Sequence, residues 1–146
     1  MRWVDWDRRF RSLYPLVPYH TAHPDFGALM AGLWSIYEDL PSREPFLRRC
    51  VLEKILFYGT FSFDPMPAAP LLDVPVHELD LTGTFSDDLV NFFHYLGLTY
   101  GAGGDRERAE RSFRRAANFN PRYDLKGTLE RLRRGEIRVE RAVLPF

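Results

Sequence analysis

The chain has few of the features that mark secreted or membrane proteins. Among its 146 residues the single cysteine is Cys50, which excludes an internal disulfide framework and a cysteine-based zinc site. The N-terminus has no apolar run of signal-peptide length, and no stretch approaches the roughly 20 apolar residues that a membrane-spanning helix needs. We therefore expect a cytoplasmic protein that does not enter the membrane.

Positive charge is absent from the middle of the sequence. No Lys or Arg lies between Lys54 and Arg106, and this interval holds seven acidic residues. From Arg106 onward there are twelve basic and six acidic residues, although the formal net charge is zero. The two regions can attract each other within the fold or steer a partner. Because acids interrupt the arginines throughout, we expect an ion-paired, solvated face and no nucleic-acid partner.

Apolar and aromatic residues are abundant and recur at helical spacing. Hydrophobic residues make up 45% of the chain and aromatic residues 15%, enough for a packed core. Spacings of three and four predict helices over 3–14, 25–40 and 43–59, with Ser42 as the N-cap of the third. The apolar stripe expected on the second helix comprises Phe26, Leu29, Met30, Leu33, Trp34, Tyr37 and Leu40.

Residues 60–84 break the helical pattern. Four prolines and three acidic residues lie in this segment: Pro65, Pro67, Pro70, Pro75, Asp73, Glu78 and Asp80. Prolines fix φ and remove backbone donors, so a long Pro-rich acidic loop is predicted here. Such a loop is usually functional or mobile, and the alternative is a structured crossover that covers a hydrophobic face.

Helical signals return strongly after Ser86. Glycines at 101, 103 and 104 permit the backbone to end one helix and reverse, and Asp105 is placed to cap the next. The pattern predicts helices over about 87–100 and 105–119. Two acid-first i,i+4 pairs support the second helix: Glu107 with Arg111, and Glu110 with Arg114.

The seam between these two helices carries a specific set of residues. It reads Phe93-x2-Leu96-Gly97-x2-Tyr100, then Ala109-x3-Phe113-x2-Ala116, then Pro121, and spans 34 residues from Val90 to Tyr123. This pattern resembles the tetratricopeptide repeat, with Phe93 in the position of the family's Trp. Gly97 and Ala109 are small enough for close approach of two antiparallel helices. Residues 25–59 do not match as a second repeat.

The resemblance implies an all-α fold of about six helices, with helical hairpins stacked in a repeat array. We expect a single domain over 1–146, built from aromatic-rich helices (1–59), the loop (60–84), a hairpin with its capping helix (86–134) and an extended tail (135–146). The capping helix has a narrow apolar stripe, Leu125, Leu129 and Leu132. Stacked repeats commonly bind protein segments in a groove.

The resemblance also implies a binding surface on the first helix of the repeat. Four residues there are expected to point away from the seam and contact a partner: Asn91, His94, Tyr95 and Leu98. The alternative is that His94 and Tyr95 pack against the preceding hairpin or the acidic loop. The leading hypothesis is a non-catalytic adaptor, chaperone or assembly factor that binds a protein segment and needs no cofactor.

Two further hypotheses belong to other classes. A small metal-dependent enzyme would use His20, His23, His77 and Glu78, since imidazole and carboxylate ligands hold zinc. Alternatively, the incomplete stack completes itself in a homo-oligomer. No nucleophile is indicated, because Cys50 lies in an apolar helix, and no phosphate-binding loop is present in the sequence.

Overall fold

All regular structure in the described residues is helical. The computed structural model describes residues 5, 8–9, 26–61, 64–80 and 86–139, and no strand occurs in these ranges, which confirms the predicted all-α class. From residue 26 onward the elements are α1 (Phe26–Asp39), α2 (Pro45–Phe61), a 3₁₀ helix (Met66–Asp73), α3 (Val76–Asp80), α4 (Ser86–Ala102), α5 (Arg106–Phe119) and α6 (Leu125–Arg133). No helix in this described part has the length and apolar character needed to cross a membrane.

The chain divides into two compact units. One comprises Met1–Ala68 and Val74–Gly83, and the other comprises Ala69–Asp73 and Thr84–Phe146. The first unit contains α1, α2 and α3, and the second contains α4, α5 and α6 together with most of the 3₁₀ helix. The prediction of one domain over the whole chain stays a prediction.

In the first unit, α1 packs against α2 through the apolar stripe of α1. Most of the predicted stripe is buried: Phe26, Leu29, Met30, Leu33 and Leu40. Trp34 and Tyr37 are only half-buried, and Ile36, which was not assigned to the stripe, is 1% exposed. The apolar face is therefore rotated toward Ile36, and the polar ends of Trp34 and Tyr37 remain near the surface. The indole of Trp34 donates to the carbonyl oxygen of Pro67 at 2.9 Å.

The start of α2 differs from the predicted start. Ser42 is exposed and lies in a turn, and the helix begins at Pro45. Proline suits the first helical position, because its missing N–H would have no partner inside the helix. The carbonyl oxygen of Glu44 accepts the first helical hydrogen bond, from the backbone N–H of Arg48 at 3.1 Å. The prediction of Ser42 as the cap is therefore wrong.

The segment 60–84 contains more regular structure than a loop. The 3₁₀ helix and α3 occupy much of its described part, and Pro67 and Pro70 lie within the 3₁₀ helix. At its start, the carboxylate of Asp64 accepts from the backbone N–H of Met66 at 2.9 Å. Ala68, Leu71 and Leu79 are fully buried. The prolines shorten the helices, but the buried residues make the segment part of the packed structure, as in the crossover alternative.

In the second unit, α4 and α5 form the predicted hairpin. Phe93 stacks on Phe119, with ring centroids 6.1 Å apart, and Phe113 lies against Gly97. These pairs run in opposite chain order on the two helices, so the helices are antiparallel. A Cβ atom built on Gly97 would lie 2.6 Å from Cδ1 of Phe113, so only glycine permits this approach. The predicted cap is confirmed: the carboxylate of Asp105 accepts from the backbone N–H of Arg108 at 3.1 Å.

The last helix, α6, packs against α5 and lies next to the end of α4. Leu132 is 7% exposed, and a Cβ atom built on Gly101 would lie 3.2 Å from Leu132 and 2.9 Å from Ile137. His94 lies about two helical turns before Gly101 on α4. Its ring contacts Tyr123, which precedes α6 in the chain. The order of these contacts shows that α6 runs in the same direction as α4. Of the predicted tail, the structure describes residues up to 139.

Candidate functional site

The four residues predicted to bind a partner are mostly inaccessible. Asn91 is half-buried, and His94, Tyr95 and Leu98 are each 5% exposed. The ring of His94 lies 5.6 Å from the ring centroids of both Phe113 and Tyr123. The predicted orientation of His94 away from the helical seam is therefore wrong. The binding role of the four residues stays a prediction, and a more open surface is a better candidate.

His94 is held in a buried, neutral state by its surroundings. Its Nδ1 atom lies 2.6 Å from the hydroxyl oxygen of Tyr123. Burial lowers the pKa of His94 to about 4, and the positive charge of Arg131 adds to this effect. Burial likewise raises the pKa of Tyr123 well above its usual range. Two uncharged groups sharing one buried hydrogen bond form a structural contact that holds α4 to the start of α6.

The proposed metal ligands do not form a cluster among the residues that the structure describes. His20 and His23 lie outside the described residues. His77 is exposed, and the carboxylate of Glu78 is occupied by protein side chains. Within the ranges that the structure describes, no group of three or more His, Cys, Asp or Glu side chains could hold a metal ion.

Glu78 belongs to a half-buried polar network in the first unit. Its two carboxylate oxygens accept from the hydroxyl of Tyr37 at 2.6 Å and from Nε of Arg48 at 3.0 Å. Arg48 also donates to the carbonyl oxygen of Leu40 at 2.8 Å and lies over the Tyr37 ring, 4.3 Å from its centroid. The network joins α1, α2 and α3. Its groups satisfy one another, which is typical of a structural contact.

The pKa values in this network follow from its hydrogen bonds. Burial raises the pKa of Tyr37 to about 12, and its hydrogen bond to Glu78 contributes in the same direction. Burial also tends to raise the pKa of Glu78, but the hydrogen bonds from Tyr37 and Arg48 outweigh it and lower the pKa. Glu78 is therefore a stable anion, and Tyr37 keeps its proton. Neither group is poised for proton transfer near neutral pH.

A concave surface on the second unit forms a groove between α5 and α6. Its volume is about 570 Å³. Eight residues line the groove, three from the first turns of α5 and five from α6: Arg106, Glu107, Glu110, Lys126, Leu129, Glu130, Leu132 and Arg133. Leu129 is half-buried and Leu132 buried, so the floor is apolar while the rims are charged. We call this surface the α5–α6 groove.

The charges of the α5–α6 groove are unequally paired. Glu110 forms an ion pair with Arg114 at 2.9 Å. Glu130 pairs with Arg133 at 3.0 Å and with Arg134 at 3.2 Å. These exposed pairs contribute little to stability, because water screens them. They do decide which charges remain available to a ligand.

One predicted ion pair is replaced by another. Arg114 pairs with Glu110 as expected, but Arg111 pairs with Asp73 at 2.8 Å instead of with Glu107. Glu107 consequently has no ion pair among the described residues. The groove lining consists of Arg, Lys, Glu and Leu side chains and contains no imidazole, thiol or hydroxyl group.

Sequence reasoning found the helices of this site but not the groove. The sequence predicts a narrow apolar stripe on the capping helix and ion pairs for Glu107 and Glu110, and neither pattern indicates a concave surface between the two helices. The usable signal was Leu129, which continues the apolar stripe of α6 yet is only half-buried. Its position one turn before Leu132 indicates an apolar strip that reaches the surface.

Comparisons with protein-family models, with curated proteins and with solved structures found no match to this chain.

Proposed function

We propose that this protein is a non-catalytic interaction module that holds a segment of another protein in the α5–α6 groove. The observation that carries the proposal is the groove itself, about 570 Å³ with an apolar floor and charged rims. A buried apolar centre inside a polar rim is the usual layout of a protein-binding surface. Leu129 and Leu132 supply the centre.

The packing around the groove supports a repeat-like arrangement. Ala109, Phe113 and Ala116, three positions of the tetratricopeptide pattern, are each 0% exposed. Gly97 meets Phe113 at a distance that only glycine allows. The first helix of a following repeat would run in the same direction as α4, and the direction of α6 agrees with this. A groove beside such a helix is open to a further segment.

Site-directed photo-cross-linking in the native cell tests this proposal. A benzophenone amino acid is placed at Leu129, within the groove, and in a control protein at Arg122, which is exposed but does not line it. The expected result is a discrete protein adduct from position 129 and none from position 122. Equal adducts from both positions, or none from 129, would overturn the proposal. An adduct to a second copy of this chain would support the homo-oligomer hypothesis instead.

A further inference from the structure

The α5–α6 groove has an excess of unpaired positive charge. The acids Glu110 and Glu130 are neutralised by neighbouring arginines. Arg106 and Lys126, in contrast, have no ion pair among the described residues. Glu107 is the one groove acid that the described residues leave unpaired. A ligand in the groove would therefore meet two unpaired cations and one unpaired anion.

The surroundings of the groove add to this positive field. Residues 106–139, which include both helices of the groove, contain eleven basic and five acidic residues. Arg106 begins α5, and Lys126 is the second residue of α6, so the two cations lie on opposite walls. Fixed charges on both sides of a concave surface attract a ligand of opposite charge and raise its association rate.

We infer that the groove selects an acidic segment of the partner polypeptide, with carboxylates near Arg106 and Lys126 and an apolar side chain on Leu129. This inference rests on the proposed function and specifies the chemistry of the partner. The lining has no aromatic ring on which the bases of a nucleic acid could stack. An acidic peptide with spaced carboxylates fits better than a nucleic acid.

Binding of synthetic probes to the purified full chain tests the inference. The probes are fluorescein-labelled peptides of twelve residues, in which Leu alternates with short runs of Glu, of Gln or of Lys, and a single-stranded dT oligonucleotide of the same length. Fluorescence anisotropy should show binding of the Glu peptide, about tenfold weaker binding of the Gln peptide, and none of the Lys peptide. Affinity for the Glu peptide should fall as salt is raised from 50 to 300 mM, in the manner of screened charges.

Matched variants assign the binding to the groove. The double variant Arg106→Gln/Lys126→Gln should weaken binding of the Glu peptide about tenfold, since two surface charge contacts are lost. Arg122→Gln removes an exposed arginine outside the groove and should leave the affinity unchanged. Circular dichroism of each variant checks that the helices are intact.

Several outcomes would overturn the inference. Equal affinity for the Glu and Gln peptides would exclude charge selection, as would a double variant that binds like the wild type. Tighter binding of the oligonucleotide than of the Glu peptide would assign the basic charges to nucleic acid. If none of the peptides binds but Leu129 still cross-links to a protein in the cell, the acidic class is wrong while the proposed function stands. If no peptide binds and Leu129 does not cross-link to a protein, both the acidic class of partner and the proposed function are rejected.

Discussion

Nδ1 of His94 lies 2.6 Å from the hydroxyl oxygen of Tyr123, and this hydrogen bond is buried between α4 and the turn that precedes α6. The contact joins two elements separated by 29 positions in the chain. It also places an ionisable base where water cannot solvate its charged form. The stability of the second unit should therefore depend on pH in a way that can be assigned to one residue.

Stability should fall as the pH is lowered from about 6.5 to 4, in part because His94 must become protonated. Its pKa is lowered from 6.5 to about 4 by burial, so the folded state favours the neutral imidazole. As the pH falls, the unfolded state binds this proton first, so the unfolded state is progressively stabilised across that window. The folded state is free of this penalty only above about pH 6.5. The complete effect is roughly 3 kcal/mol.

Hydrogen exchange of α4 and α6 amides at several pH values measures this effect, since local opening reports on the second unit. The His94→Gln variant removes the titrating group and should show a shallower loss of protection between pH 6.5 and 4. Carboxylates elsewhere are common to both proteins, so they cancel in the comparison. Parallel curves for the two proteins would show that His94 is not a source of the pH dependence.

Removing the Tyr123 hydroxyl should destabilise the second unit at neutral pH. Tyr123→Phe leaves Nδ1 of His94 without its described partner in a buried setting, at a cost of roughly 1–3 kcal/mol. Tyr58→Phe is the matched control, because Tyr58 is half-buried and its hydroxyl makes no hydrogen bond to any described residue. Each variant is compared with the wild type by thermal unfolding. A loss no greater for Tyr123→Phe than for Tyr58→Phe would contradict the assignment.

Replacing Gly97 should disrupt the hairpin by overpacking. Even the Cβ of an alanine would come within 3 Å of three atoms of the Phe113 ring. Gly97→Leu is expected to cost about 1–3 kcal/mol and to reduce the exchange protection of α4 and α5. Gly27→Ala serves as control, since nothing lies within 4 Å of its built Cβ, and it should leave stability unchanged or raise it by up to about 1 kcal/mol. Unaltered protection in Gly97→Leu would contradict the observed seam.

Local signals allowed the α4–α5 hairpin to be predicted closely. Helices expected over 87–100 and 105–119 are observed as Ser86–Ala102 and Arg106–Phe119. Their ends are determined by nearby residues, the Asp105 cap and the turn at Gly104, whose φ of 87° suits glycine. Gly97 and Phe113 indicated which face of each helix lies in the seam between them. Signals of this kind act over a few residues and can be read directly.

Features that depend on distant partners could not be predicted in the same way. The orientation of His94 depends on Tyr123, and the ion pair of Arg111 depends on Asp73, 38 positions away. The helical turns within 60–84 depend on burial of Leu71 and Leu79, which outweighs the helix-breaking tendency of the prolines. The groove was missed for the same reason, since its two walls read separately as solvated helix faces.

The network of Tyr37, Arg48 and Glu78 should contribute more to stability than the ion pair beside it. Arg48→Met would leave the Glu78 carboxylate and the Leu40 carbonyl without their arginine hydrogen bonds in a half-buried setting. The side chains of Arg48 and Glu78 are 18% and 21% exposed, so the expected loss is roughly 1–3 kcal/mol, below that of a fully buried pair. Arg49→Met breaks the neighbouring pair with Glu53, whose side chains are 42% and 40% exposed, and should cost at most about 1 kcal/mol.

Tryptophan fluorescence during urea unfolding separates these two outcomes, because Trp34 lies in the first unit and no tryptophan follows it in the sequence. The unfolding midpoint of Arg48→Met should fall clearly below that of the wild type, whereas that of Arg49→Met should stay close to it. Glu78→Gln keeps the shape of the side chain but removes its charge, and should lie between the two. If Arg48→Met and Arg49→Met shift the midpoint equally, the network is no stronger than an exposed ion pair. The joining of α1, α2 and α3 must then come from apolar packing alone.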